Sequence, residues 1–205
     1  MPSGTRKVDS VAAVVHLVGY PGVGKYTIAN EITRLAEARG LRFVVVDNHL
    51  TSNVIFSVLP VDGVTPLPAT VWDRVDEVRL ALLRSIKDLS PRDWSFVFTN
   101  VVTEGILADH ATVERVRLLA ESRDSRYVPV RLTCGTAELL RRVERPDRRA
   151  RHKWADPGGV RKFVEGSEVL GITHPFLLDL DVTQLAADDA AALILEHIEG
   201  LPAPD

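Results

Sequence analysis

The chain has 205 residues, 45% of them hydrophobic, and a net charge of -3. That length suits one α/β domain with a sizeable core, and the charge excludes a global basic field that would recruit nucleic acid. The single cysteine, Cys134, excludes a disulfide framework within the chain, and no run approaches the ~18 apolar residues of a membrane span. Val11–Val18, interrupted by His16, is too short for a signal core, so the expected setting is cytoplasmic. Only five of the 25 basic residues are Lys, which makes a Lys at a special position informative.

Val11–Val18 predicts a buried parallel strand, ended by Gly19. Lys25–Arg39 places Ile28, Ile32, Leu35 and Ala36 on one helical face, with Gly40 closing the helix. Leu41–Asp47 is a second buried strand. Asn48–Leu67 reads as irregular, with Pro60, Gly63 and Pro66 as breakers. Pro68–Leu89 is helical, Trp94–Thr99 a third strand, Ile106–Ser122 a helix and Tyr127–Thr133 a fourth strand. A helix starts at Thr136–Val143, Glu144–Gly159 is polar and Arg-rich, and Val160–Leu170 reads as helical. Leu177–Val182 is a short fifth strand and Leu185–Ile198 a closing helix. Strands alternating with helices predict an α/β fold with a doubly wound, five-stranded parallel sheet. Ligands in such sheets sit beyond the carboxyl ends of the strands. The residues to weigh are therefore Gly19–Lys25, Asp47–His49, Asn100–Glu104, Cys134–Gly135 and Thr183.

The loop Gly19-Tyr20-Pro21-Gly22-Val23-Gly24-Lys25 fits the frame G-x-x-x-x-G-K between a strand and a helix. Its glycines let backbone N–H groups turn toward an anion, the helix presents its positive dipole end, and Lys25 adds a point charge. Bound ATP with Mg²⁺ is the expectation. The frame usually continues with Ser or Thr as a metal ligand; Tyr26 stands there, and Thr27 follows.

The string GYPGVGKYT resembles the G-x-P-G-x-G-K-G-T loop of adenylate kinases, which also lacks a hydroxyl directly after the Lys. The resemblance implies an adenylate-kinase-like P-loop kinase. It makes Gly19, Pro21, Gly22, Val23, Gly24, Lys25, Tyr26 and Thr27 the nucleotide-binding loop, with Thr27 the candidate nearest the metal. In shikimate kinase, chloramphenicol phosphotransferase and zeta-toxin-like kinases an Asp ends the second strand and binds the acceptor or takes its proton. Asp47 matches that position, with Asn48 and His49 beside it. A cap after the strand is the alternative for Asp47, and ordinary hydrogen bonding the alternative for His49. The family's lid corresponds to the stretch 141–160, where Arg142, Arg148, Arg151 and Lys153 are candidates for clamping phosphate. A solvated helix face and RNA contact are the alternatives there. The loop after the last strand borders the base in these kinases, which implicates Asp181 and Thr183; a cap is the alternative.

The segment 48–90 is expected to cover the acceptor. Trp72, Val75 and Arg79 share a helical face, Phe56 and Phe98 offer apolar walls, and Asn100 and Glu104 follow the third strand. The expected activity is transfer of the γ-phosphoryl group from ATP to a hydroxyl of a small molecule. Lys25, Asp47, Arg148 and Arg151 are the expected catalytic residues, and the expected assembly is a monomer or homodimer. A nucleotide-binding regulator with little catalysis and a polynucleotide- or tRNA-end kinase are the rival readings.

Overall fold

The computed structural model describes residues 11–62, 65, 67–145 and 153–202. In chain order the elements are β1 (Ala13–Val18), α1 (Lys25–Ala38), β2 (Phe43–Asp47), α2 (Asn48–Phe56), α3 (Ala69–Leu89), β3 (Ser95–Asn100), α4 (Leu107–Ser122), β4 (Arg126–Thr133), α5 (Thr136–Val143), α6 (Pro157–Gly166), β5 (Leu178–Asp181) and α7 (Ala187–Gly200). The five strands form one all-parallel sheet in the order β2-β3-β1-β4-β5. The doubly wound parallel sheet expected from the sequence is therefore the one observed.

Both faces of the sheet are covered, which is why β1 and β3 are buried at every position. Alternation along the strands divides the core. Ala13, Val15 and Leu17 join Ile28 and Ile32 of α1 and Ala191, Ile194 and Leu195 of α7 on one face. Val14, Phe96, Phe98 and Tyr127 join Leu83 and Ile86 of α3 and Val116 and Leu119 of α4 on the other. The carboxyl end of β1 thus opens between β3 and β4, at the place where successive crossovers part to opposite sides.

Several boundaries differ from the sequence reading. Asn48–Phe56 is not irregular but helical, and follows β2 directly. The breakers lie beyond it, and Gly63 and Pro66 are outside the described residues. α6 begins at Pro157 rather than Val160, because the Asp156 carboxylate caps the Gly158 and Gly159 N–H groups (3.0 Å each) and Pro157 suits the first helical position. It stops at Gly166. Glu168–Leu170 then runs beside the loop after β3, with a Thr103–Val169 antiparallel bridge and bonds from Glu104 N to Glu168 O and Leu170 N to Val102 O.

One buried cation went unforeseen. Arg123 is 2% exposed, donates to the carbonyls of Ile86 (2.6 Å) and Pro91 (2.6 Å), and lies 4.9 Å from the centre of the Phe96 ring. It closes the end of α3 and seats β3. No helix among the described residues is long and apolar enough to cross a membrane.

Candidate functional site

The phosphate loop is built by backbone conformation. Gly19, Gly22 and Gly24 have φ of 152°, 95° and 111°. A Cβ at Gly19 would lie 2.6 Å from the Leu132 carbonyl oxygen, and one at Gly22 would lie 2.8 Å from Val143 Cγ2. These positions need glycine for both torsion and space. Gly24 occupies the cap position of α1 without a side-chain acceptor, and the first turn carries no acid. The leading N–H groups of α1 are thus presented to an anion. Lys25 Nζ folds back onto the Gly19 (2.6 Å) and Tyr20 (2.9 Å) carbonyls.

Beside this loop lies a cleft of about 380 Å³, a volume suited to a small ligand. Val23, Gly24, Thr27 and Ile28 form one wall, Glu138, Arg141, Arg142 and Arg145 of the α5 region a second, and Val182–Ala187 the third. Arg142 ties the three together. Its guanidinium donates to Val23 O (3.0 Å), Val182 O (2.8 Å) and Glu138 Oε1 (2.7 Å). Hydrogen bonds from Arg141 and Arg142 hold the Glu138 carboxyl down at about 2. Thr183 Oγ1 accepts from Gly135 N (2.8 Å) and donates to Asp181 Oδ1 (2.5 Å), which also receives Thr183 N. Asp181 therefore closes the turn after β5, whereas α7 is capped at Ala186.

On the far side of the loop, Asp47 ends β2. Its backbone stands at the cap position of α2, yet its side chain makes no cap bond. Oδ1 instead accepts from Thr99 Oγ1 (2.5 Å), and Oδ2 lies 3.8 Å from Lys153 Nζ. Lys153 is in turn 4.1 Å from the centre of the Tyr26 ring. Both Asp47 and Lys153 side chains are 15% exposed. Tyr26, the departure from the usual loop, thus supports a cation that reaches the carboxylate at the end of β2. Tyr20 ties the loop to α6 and its flanks: its hydroxyl donates to Ser167 O (2.5 Å), and its ring packs edge-on against Phe163 (6.1 Å), itself against Trp154 (5.6 Å).

Asn48 Oδ1 accepts from Arg79 Nη2 (3.2 Å) and, at longer range, Asn100 Nδ2 (3.5 Å). Asn100 Oδ1 lies 3.0 Å from His16 Nε2, and His16 Nδ1 lies 3.1 Å from the Tyr127 hydroxyl. Burial lowers the His16 pKa to about 4, so the ring is neutral. Arg79 also pairs with Asp76, as the i, i+3 spacing allows.

Of the residues singled out in the sequence, Gly19–Lys25, Thr27, Arg142 and Thr183 gather at the glycine-rich loop and its cleft. Asp47, Arg79 and Asn100, with Asn48, gather at the ends of β2 and β3. His49 sits partly buried in the first turn of α2. Trp72 is 50% exposed and packs edge-on against Phe56 (5.8 Å), while Phe98 belongs to the core. Glu104 does not end β3. Its carboxylate accepts from Gly171 N (2.7 Å) and faces His110 (3.8 Å), bracing the loop after β3. Arg148 and Arg151 lie outside the described residues. Sequence reading missed Thr99, Glu138 and the pairing of Tyr26 with Lys153. The sequence offered Lys153 only as one cation of a basic stretch, and no spacing linked it to Tyr26.

Among the described residues no group of three or more His, Cys, Asp or Glu forms a metal cage. The oxygen donors present, the Asp47 carboxylate and the Thr27 hydroxyl, suit a magnesium ion carried on phosphates and water, which needs few protein ligands.

No protein-family model and no curated protein matches the chain. Solved structures do. The Mycobacterium tuberculosis APS kinase in complex with AMPPNP and APS superposes with a TM-score of 0.62 at 15% identity, over 93% of this chain and 99% of that one. A gluconokinase from Sinorhizobium meliloti gives 0.56 at 17% identity, covering 92% and 93%. Kti12 from Chaetomium thermophilum in complex with ADP-AlF3 gives 0.55 at 16% identity, covering 91% and 100%. The chain has the fold of the adenylate-kinase-like P-loop kinases.

Proposed function

We propose that this chain is an ATP-dependent phosphotransferase that moves the γ-phosphoryl group to a hydroxyl of a small molecule. The observation that carries the reading is Lys153, whose ammonium stands between Tyr26 of the phosphate loop and the Asp47 carboxylate. A nucleotide's terminal phosphate held by the loop and an acceptor hydroxyl held by Asp47 would then meet beside a cation. Structures of similar overall fold belong to proteins described as APS kinase and gluconokinase, both phosphotransferases.

In this reading the base and ribose occupy the cleft against Ile28, Arg142 and Thr183, and the phosphates lie on the N–H groups of Gly22–Lys25. The acceptor hydroxyl donates its proton to Asp47 as its oxygen bonds to the γ-phosphorus, and the bond from that phosphorus to the bridging β–γ oxygen breaks, with ADP leaving. Thr99 fixes the carboxylate's rotamer. Lys25, Lys153 and the lid arginines, Arg148 and Arg151 among them, offset the charge on the transferred group. Thr27 and Asp47 would offer oxygen donors to a magnesium ion, which when bound would supply further neutralisation of the phosphate charge. Segment 48–90 forms the acceptor side, with His49, Trp72, Arg79 and Asn100 lining it, and 141–160 the lid.

A nucleotide-consumption screen over hydroxylated metabolites tests this, with Lys25→Ala as control. Acceptor-dependent ADP formation by the native chain alone is expected. Nucleotide binding with no acceptor-dependent turnover across a broad panel would instead favour a regulator, a role for which Tyr26 in place of the metal-ligating hydroxyl is the motivating feature.

A further inference from the structure

The residue after the loop lysine is where this chain leaves the usual loop pattern, and its ring meets a cation from a distant part of the chain. Tyr26 follows Lys25 in the first turn of α1, and its ring centre lies 4.1 Å from Lys153 Nζ. Lys153 stands in the segment before α6. The same ammonium faces Asp47 Oδ2 at 3.8 Å, with both side chains 15% exposed. That separation exceeds the ~3.2 Å limit of an N–H···O bond, so charge alone draws Lys153 to the carboxylate.

Two features make this contact exchangeable. Asp47 Oδ1 is held by the Thr99 hydroxyl, which itself accepts from Asn48 N (3.2 Å). Oδ2 is therefore the oxygen turned toward an incoming hydroxyl, and it is the oxygen that Lys153 faces. The Tyr26 ring, for its part, holds the ammonium without cancelling its charge. A carboxylate in the ring's place would neutralise the lysine, whereas an aromatic face keeps the charge for a stronger anion. A terminal phosphate carries more negative charge than one carboxylate, and the flexible Lys stem can turn between the two beside a fixed ring.

We propose that Tyr26 is a positioning residue whose ring keeps Lys153 within reach of both Asp47 and the terminal phosphate. Lys153 leaves Asp47 Oδ2 for a γ-phosphate seated on the loop. That frees the oxygen for the acceptor hydroxyl and sets the cation on the group to be transferred. A triphosphate thus uncovers Asp47, a diphosphate does not, and the acceptor binds after ATP. This rests on the phosphotransferase reading above. A fixed structural tie among Tyr26, Lys153 and Asp47 is the competing role, and it responds alike to the two nucleotides.

The test uses the full chain with Mg²⁺ and either AMPPNP or ADP, and needs no acceptor. The chain has only five lysines, so NMR with isotope-labelled lysine can follow the Lys153 ε-methylene, identified by its loss in Lys153→Arg. A ring face shields the protons above it, so the Lys153 signal lies upfield in the native chain and in Tyr26→Phe, and loses that shift in Tyr26→Leu. AMPPNP moves the native signal and ADP leaves it in place. Calorimetry gives the ratio of AMPPNP to ADP affinity. That ratio falls by about tenfold in Lys153→Met and by about threefold in Tyr26→Leu, and stays native in Tyr26→Phe. Lys153→Met and the native signal carry the test if Tyr26→Leu does not fold. A signal that ADP moves as far as AMPPNP, a ratio unchanged in Lys153→Met, or Tyr26→Phe behaving as Tyr26→Leu would each overturn the proposal. Failure of AMPPNP to bind the native chain would remove the phosphotransferase reading and this inference with it. AMPPNP binding with the Lys153 signal unmoved would overturn this inference alone.

Discussion

At the glycine-rich loop after β1 the work is done by main chain: three glycines at positive φ, the open first turn of α1, and carbonyls gathered by Arg142. At the ends of β2 and β3 it is done by side chains brought from separate elements. Thr99 of β3 holds Asp47, Lys153 faces it from the segment before α6, and His16, Asn100, Asn48 and Arg79 form a chain across the sheet. In the proposed function the cradle meets a phosphate chain, which is the same in every nucleoside triphosphate, so backbone suffices for it. In the same proposal the ends of β2 and β3 meet an acceptor, which differs from one kinase to another, and side chains can be exchanged without rebuilding the strands.

If the two sides are separable, their variants should fail differently. The largest effect is expected for Lys25→Ala, which should weaken nucleotide binding and lower transfer by about 10³-fold or more; calorimetry with AMPPNP and an ADP-formation assay read the two. Asp47→Asn should lower transfer by about 10²–10⁴-fold and leave AMPPNP affinity within about twofold; a large loss of nucleotide affinity would merge the two sides.

The acceptor-side chain should also be visible as pH-dependent stability. His16 is held at about 4 when folded against an ordinary 6.5. The unfolded chain therefore binds the extra proton between those values, and stability falls as pH drops through that window. The loss amounts to about 3 kcal/mol and is absent in His16→Gln; urea denaturation of both proteins at pH 7 and pH 4.5 measures it. Gly22→Ala should cost about 1–3 kcal/mol from torsional strain and crowding against Val143, read by the same denaturation at neutral pH. The smallest effect is expected for Glu104→Gln, which leaves transfer within about threefold because the residue braces a loop through Gly171.

The glycine-rich loop between β1 and α1 was legible in the sequence because its parts are local. A strand, a glycine-rich turn, a Lys and a helix follow one another within Ala13–Ala38. Asp47 was legible by its place at a strand end, though its partner Thr99 comes from a strand fifty-two residues on. α2 was not legible for a physical reason. Its apolar residues Leu50 and Val54 face solvent (52% and 55% exposed), while Thr51 and Ser52 face inward, so the hydrophobic pattern contradicts the helix's actual orientation. Arg123 was equally hidden, since its acceptors are main-chain carbonyls far back in the chain, and no spacing rule connects a helix end to them.

A crystal structure with ADP and aluminium fluoride tests the central claim most directly, because it needs no knowledge of the acceptor. The fluoride should lie within ~3.5 Å of Lys25 Nζ, with its open face toward Asp47 and with Lys153 moved from the carboxylate onto the fluoride. A fluoride facing away from Asp47, with Lys153 still paired to that carboxylate, would contradict the account.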